Sequence, residues 1–254
     1  MISNMTQNPA IRVETEKKHF ESVATEVGYS WWGSNTPASK VRIQRRVNLA
    51  KEFLDVKPGD KLFECGCGTG ELTSHLSEEL DSKVMIYAMD LSKTLIKTAN
   101  SRLQKPNVKF VVGNVYQTNF ADDSLDHIIG NGILHHLDLD SSINEFRRIL
   151  KPGGKILFFE PNMANPQIWL QFHIKLFRKI TRMSLYEKTF WRWELKKKLL
   201  LFNLNNIKVQ PFDFIHPLIP SSLLETSKKL EAFLEKTFLN EIAGSLLIYA
   251  ENRK

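Results

Sequence analysis

Three groups of residues in this 254-residue chain could do chemistry, and their types and spacing limit what that chemistry is. The first is Glu64-Cys65-Gly66-Cys67-Gly68-Thr69-Gly70, where an acid closes the apolar run from Lys61 to Phe63 and three glycines follow at alternate positions. Glycines so placed remove side chains where a strand-to-helix turn must offer backbone to a ligand. The carboxylate of Glu64 would repel a pyrophosphate and suits a ligand carrying a cation or an ammonium group. The second is Asp90, which ends the apolar run from Val84 to Met89. It stands about twenty residues past the last glycine, where an acid at a strand tip can bind the two hydroxyls of a ribose. The third is the histidine pair in Gly130-Asn131-Gly132-Ile133-Leu134-His135-His136-Leu137, after a fourth apolar run. A neutral imidazole is a suitable general base near neutral pH.

Other chemistries lack their residues. The dinucleotide fingerprint G-x-G-x-x-G fails at its third slot, which is Glu71, and no G-K-[ST] is present for a triphosphate. No [DNS]-P-P-[YFW] follows the fourth apolar run, so an exocyclic amine of DNA is not the expected target. Cys65 and Cys67 are the sole cysteines. They are too few for a zinc site, badly spaced for a disulfide, and best read as small residues in a crowded turn of a cytosolic protein. No C-x-x-x-C-x-x-C cluster motif occurs, and no metal is expected.

These groups need a scaffold that brings strand ends together. Apolar runs near 61–64, 84–89, 108–112, 125–130 and 154–160 alternate with helical patterns near 71–80, 92–103 and 140–150. That alternation predicts a parallel sheet covered on both faces, with ligands at the carboxyl ends of the strands. Lys151-Pro152-Gly153-Gly154 predicts the turn into the fifth strand. Two later runs, Ile207 to Ile215 and Ser245 to Glu251, read as a sixth and a seventh strand around a helical stretch from Ser221 to about Leu239. At 42% apolar residues the chain can bury a full core. It contains no apolar run of the ~18 residues a membrane span needs.

The spacing E-x-G-x-G-x-G, with Asp90 on the second strand, resembles motif I of the class I methyltransferases that use S-adenosylmethionine. The resemblance runs over about residues 40–160. It takes in Val112-Gly113-Asn114-Val115, Asp122-Asp123-Ser124-Leu125-Asp126 and the stretch from Leu150 to Glu160. It implies a Rossmann-like α/β fold of seven strands, mostly parallel with the last antiparallel, with helices on both faces and a helical cap insertion. It also implies a cofactor, S-adenosylmethionine, leaving as S-adenosylhomocysteine. On this reading Glu64, Cys65, Gly66, Gly68 and Gly70 hold the methionine end, and Asp90 holds the ribose. Leu91 packs on adenine, Asn114 and Val115 bound the adenine edge, and Asn131 lies beneath the methionine part. The family usually has an acid at the Asn114 slot; asparagine still offers an accepting oxygen. The histidines would sit close to the methyl donor. His135 is the first candidate base and His136 the second, because related small-molecule enzymes carry a working histidine there. The plain alternative is a histidine that only hydrogen-bonds backbone. Family members that use a metal at this point have glutamates before the histidine, where this chain has Asn131 and Leu134.

The ends of the chain supply a lid and a cap. Residues 1–36 read as a helical lid, with a helix over Glu14 to Thr25 and the aromatic patch Tyr29, Trp31 and Trp32. Residues 37–254 form the catalytic domain. Thr36-Pro37 predicts the start of a helix carrying Arg42, Arg45 and Arg46 on one face. The family places aromatic and basic groups from this region against the cofactor, so Tyr29 and Arg46 join the candidates. The net charge of +7 is localised: 162–205 holds nine basic residues against two acids, which accounts for the whole surplus. There Trp169, Phe172, Leu176 and Ile180 follow helical spacing, with Lys175, Arg178, Lys179 and Arg182 on another side. Three readings of this cap are open: an apolar face packed on the core, docking to an anionic membrane, or recognition of an acidic acceptor.

The expected activity is methyl transfer to an oxygen or nitrogen of a small-molecule, sugar-linked or lipid-linked acceptor. The rivals are a membrane-surface lipid methyltransferase, an RNA methyltransferase and a non-catalytic binder of S-adenosylmethionine. No DNA or RNA partner is expected. The expected place is the cytoplasm, with contact at the inner membrane surface as the variant reading.

Overall fold

The computed structural model describes residues 9–26, 36–184 and 186–254. Its centre is one seven-stranded sheet in the order β3-β2-β1-β4-β5-β7-β6. The strands are β1 (Lys61–Cys65), β2 (Met85–Asp90), β3 (Val108–Val112), β4 (Leu125–Asn131), β5 (Leu150–Pro161), β6 (Leu204–Phe212) and β7 (Ser245–Asn252). β7 runs antiparallel to both its neighbours, and β1 to β5 pair parallel. The Rossmann-like reading of the sequence is thus the observed fold. The strand order reverses between β1 and β4, so the loops leaving these two strands part and open a crevice. Register sets what faces that crevice: Cys65 pairs with Gly130, Asp90 with Val112 and Asn131 with Phe159.

Helices cover both faces. They are α1 (Pro9–Glu26), α2 (Pro37–Leu54), α3 (Glu71–Glu79), α4 (Lys93–Arg102), α5 (Leu139–Ile149), α6 (Pro166–His173), α7 (Lys175–Ile180), α8 (Arg192–Leu199) and α9 (Leu224–Leu234). Successive strand residues point to opposite faces, so Phe63 joins one core with Phe146 and Phe158 while Leu62 joins another with Val47, Leu76 and Phe159. In α5 the buried Leu139, Ile143, Phe146 and Ile149 recur at helical spacing. Each such side chain contributes roughly 1.5–3 kcal/mol through burial. Helix starts follow the sequence signals. Thr36 accepts from Ser39 N ahead of Pro37, and Asn165 accepts from Gln167 N and Ile168 N around Pro166.

Several stretches differ from the sequence expectation: α1 begins at Pro9 rather than Glu14, and β5 begins at Leu150 and takes in the expected turn. β6 begins at Leu204, three residues before the expected start, and ends at Phe212. A bulge between Asn205 and Lys208 resets its register, and Asp213 at φ +74° turns the chain away. The stretch after Ser221 is broken: α9 stops at Leu234 and a separate 3-10 turn spans Phe238–Ile242. The basic amphipathic segment is two short helices, separated at Ile174 in extended backbone. Neither α6 nor α7 has a buried residue, so the apolar side of this segment does not pack into the core. Within 162–205 the core is reached by Leu195, Leu199, Phe202 and Leu204.

Candidate active site

The turn after β1 is built on backbone that side chains resist. Gly66, Gly68 and Gly70 have φ of +70°, +53° and +76°. Gly66 is also hemmed in: a Cβ there would meet Ile133 Cδ1 at 2.6 Å. At Gly68 a Cβ would meet nothing within 4 Å, because that position borders open space. Gly66 N and Cys67 N both donate to Met89 O, at 2.8 and 3.0 Å, which ties the turn to the end of β2. Asp90 completes the tie: one carboxylate oxygen accepts from Gly68 N at 2.9 Å and the other from Ser92 N at 2.9 Å. The glycine turn and the second strand's acid therefore stand side by side. Both cysteines are free and buried, and burial pushes their thiols well above the usual range.

Glu64 is buried at the tip of β1, and Thr73 Oγ1 donates to its carboxylate at 2.6 Å. Burial, with a smaller push from the Asp90 charge, raises Glu64 to about 8. Asn114 accepts from Tyr116 N at 3.0 Å through its side-chain oxygen, forming a local turn that holds Val115 against the cavity. Leu91 and Asn131 line the same cavity. Arg46 lines it too, but its Nη2 is engaged with Asp213 Oδ2 at 2.8 Å and Ser245 Oγ at 3.2 Å. The other arginines of that face also find acids, Arg42 at Asp213 and Arg45 at Glu231 and Glu235. Tyr29, Trp31 and Trp32 lie outside the described residues.

Of these groups, Glu64, Cys65, Gly66, Gly68, Asp90, Leu91, Asn114, Val115, Asn131 and Arg46 border one cavity of about 530 Å³, which reaches across to His135 and His136, whereas Gly70 stands behind it, beside Phe110 and Ala99. The histidines sit in a short 3-10 turn, Leu134–His136, at the carboxyl end of β4. Glu160, near the end of β5, organises that turn. Its Oε1 accepts from Ile133 N at 2.9 Å and Leu134 N at 2.8 Å, while its Oε2 lies 2.7 Å from His135 Nδ1. Burial pulls His135 down, but the Glu160 carboxylate outweighs it and the net shift is upward. His136 goes the other way: burial, then the neighbouring His135, push it well below its ordinary value. Two adjacent imidazoles with rings 4.1 Å apart are thereby shifted in opposite directions.

The sequence reading passed over the groups that close the cavity. Arg12, Glu16 and Phe20 repeat at i, i+4 and i+8, so one face of α1 carries all three. Arg12 Nε and Nη2 donate to His136 O at 3.0 and 2.7 Å, and Glu16 Oε2 lies 3.1 Å from His136 Nδ1. Phe20 meets the His136 ring edge-on at 5.0 Å. From the cap, Phe172 approaches His135 edge-on, and Glu187 comes within 3.8 Å of His136 Nδ1. Burial raises both Glu16 and Glu187. Ligand atoms of His135, His136 and Glu187 lie within 4.8 Å of one another, the geometry of a loose cation site. Each imidazole Nδ1 already has a carboxylate oxygen within hydrogen-bond distance, Glu160 at His135 and Glu16 at His136. The recurrence of a charged pair at i, i+4 in α1 was the available signal for Arg12 and Glu16.

The family model described as a methyltransferase domain matches residues 63–158. The demethylmenaquinone methyltransferase of Bacillus mycoides (strain KBAB4) is 27% identical over 200 residues, covering 69% of this chain and 84% of that protein. The 2-phytyl-1,4-naphthoquinone methyltransferase of Trichormus variabilis is 31% identical over 129 residues, covering 49% of this chain and 56% of its own length. Among solved structures, a chain from the complex between the Haloferax volcanii Trm112 methyltransferase activator and its methyltransferase superposes with a TM-score of 0.66 at 19% identity. That match covers 92% of this chain and 98% of the other.

Proposed function

The chain belongs to the class I S-adenosylmethionine-dependent methyltransferase superfamily, and on that premise we propose that it methylates an oxygen or nitrogen of a small, largely apolar acceptor, with His135 as the general base. The cofactor fits the residues present. A carboxyl raised to about 8 by burial, with a lone threonine hydroxyl on it, is a carboxyl short of a cation, and an ammonium group would supply one. The open space at Gly68, beside the Asp90 carboxylate, is where a nucleoside sugar can approach backbone. When bound, S-adenosylmethionine supplies a methyl carbon on a sulfonium, an electrophile with a good leaving group.

The chain's own residues then have three tasks. Glu64, the glycine turn and Asp90 orient the donor. The aromatic edges of Phe20 and Phe172 bracket the acceptor side and exclude water. His135 takes the proton as the acceptor atom attacks. With Nδ1–H donated to Glu160, Nε2 is the free nitrogen on the cavity side, and the Glu160 carboxylate stabilises the imidazolium that forms. Nε2 of His135 would then hold the proton that the acceptor atom gives up.

The single observation that carries this reading is the Glu160–His135 pair on the wall of the cavity that the glycine turn also borders. Both relatives are named for a quinone, an apolar ring, and that likeness supports an apolar acceptor. The test uses labelled S-adenosylmethionine with organic, aqueous and RNA extracts, comparing the wild type with His135→Gln. Label in the organic extract, lost in the variant while donor affinity holds, is the expected result. Label in RNA, or full turnover by the variant, overturns the reading.

A further inference from the structure

We propose that α6 and α7 form a docking face for an anionic lipid bilayer. Soluble proteins seldom leave neighbouring large apolar side chains in water without a use. Here Leu176 is 64% and Ile180 61% exposed, and Trp169, Leu170, Ile174 and Phe177 are exposed beside them. Leu176 and Ile180 are four apart in α7, so they share one face. Lys175 and Lys179, each one residue earlier, are exposed along its flank. An apolar stripe edged by lysine is the pattern of a helix lying in a bilayer interface, its stems in the acyl boundary and its ammonium groups at the headgroups.

Charge chooses the occupant. From Pro166 to Arg182 there are four basic residues and no acid. A second copy of the chain would bring like charges together on this face, whereas anionic headgroups complement it. RNA would meet the lysines but leave Leu176 and Ile180 without a partner. No helix among the described residues is long and apolar enough to cross a membrane, so the contact is peripheral.

The face is also joined to the cavity. Ile168, Gln171 and Phe172 line it from the inner side of α6, while Trp169 and Leu170 point outward. Asn165 Nδ2 donates to Ile242 O at 2.8 Å, which fixes the start of α6 against the 238–242 turn, where Phe238 is exposed as well. Given the methyl transfer inferred above, an acceptor dissolved in the bilayer can enter past Ile168 and Phe172 without crossing water.

The experiment is flotation of the full chain with phosphatidylcholine vesicles, with and without phosphatidylglycerol, in the absence of any methyl donor. Two surface variants are compared, Leu176→Ser with Ile180→Ser, and Lys175→Glu with Lys179→Glu. Wild type should float with anionic vesicles and release at high salt, and each double variant should lose about tenfold or more in partition. Calorimetry with S-adenosylhomocysteine reports folding independently, and both variants should keep wild-type affinity. Binding needs no turnover, so its outcome stands apart from that of the methyl-transfer reading. No flotation, equal flotation with neutral vesicles, wild-type partition in the serine variant, or displacement by RNA with the serines harmless would each overturn the proposal.

Discussion

Glu160 Oε2 lies 2.7 Å from His135 Nδ1, and the other oxygen of the same carboxylate holds the amides of Ile133 and Leu134. One side chain thus shapes the turn that presents the imidazole and also sets the imidazole's basicity. Because the carboxylate raises His135 above its ordinary 6.5, the acid limb of the rate profile should have its midpoint above that value. Glu160→Gln removes the strongest opposing charge and leaves burial countered only by Glu187 and Glu16, so the midpoint should move below the wild type's. His135→Gln should lower the turnover about 10²–10⁴-fold, the usual worth of a general base. The stability effect has the opposite sense in pH. The folded state holds the proton more tightly, so the pair's contribution is full below 6.5 and is lost as pH rises through the raised value. Rate profiles and urea midpoints for wild type and Glu160→Gln check both; an unmoved acid limb in the variant would remove Glu160 from the proton chemistry.

If Glu64 receives the donor's ammonium group as proposed, donor binding should release a proton. At neutral pH a carboxyl raised to about 8 is mostly protonated in the free protein. An ammonium group arriving beside it favours the carboxylate, so the proton must leave. Calorimetry in buffers of different ionisation enthalpy should find close to one proton released per donor bound near pH 7, falling toward zero above pH 9. Glu64→Gln should bind more weakly and release none. Equal release by the variant would place the proton elsewhere.

The first two glycines of the turn should fail in different ways. Gly66→Ala forces a Cβ to within 2.6 Å of Ile133 at φ +70°, so backbone strain and overpacking add. A loss of about 2–4 kcal/mol is expected. Gly68→Ala at φ +53° meets no atom, and the left-handed backbone alone costs about 1–2 kcal/mol. Its methyl instead borders the space offered to the donor, so affinity should fall while the fold persists. Urea denaturation and donor titration of both variants separate the effects. Tight donor binding by Gly68→Ala would show that the ligand keeps away from this turn.

How much of this was legible beforehand follows from the range of the interactions. The glycine turn, Asp90 and the histidine pair are local patterns, and the parallel strands that carry them announce themselves as apolar runs. Their meeting at the switch between β1 and β4 follows from topology that the family resemblance implied. The partners of those residues are another matter. Glu160 reaches His135 across 25 positions, Arg12 reaches the His136 carbonyl across 124, and Arg46 reaches Asp213 across 167. Local spacing does not join such pairs: the i, i+4 repeat in α1 marks Arg12 and Glu16 but not what they reach, and nothing near Arg46 points to Asp213. The three readings of the cap stayed open in the sequence for a related reason. Helical periodicity fixes which residues share a face, but not whether the core has room for that face, and here it is filled from α8 instead.

The tether between α1 and the histidine turn predicts a lid that opens separately from the core. Arg12 is buried and gives two hydrogen bonds to His136 O, while Thr94 is bonded to Glu21 farther along the same helix. A hydrogen bond from a charged group is worth about 1.5–3 kcal/mol, so Arg12→Ala should raise local opening of α1 about ten- to a hundredfold. Hydrogen exchange should quicken across 11–26 and stay unchanged in β4 and β5, which have their own buried ladder. Lys18→Ala, which removes an exposed pair with Glu14, is the control and should change neither. The acceptor KM of Arg12→Ala should rise, because the helix that supplies Phe20 to the cavity is less often in place. Uniformly faster exchange through the whole sheet would mean that Arg12 supports global stability, and wild-type exchange in α1 would mean that the tether carries no load.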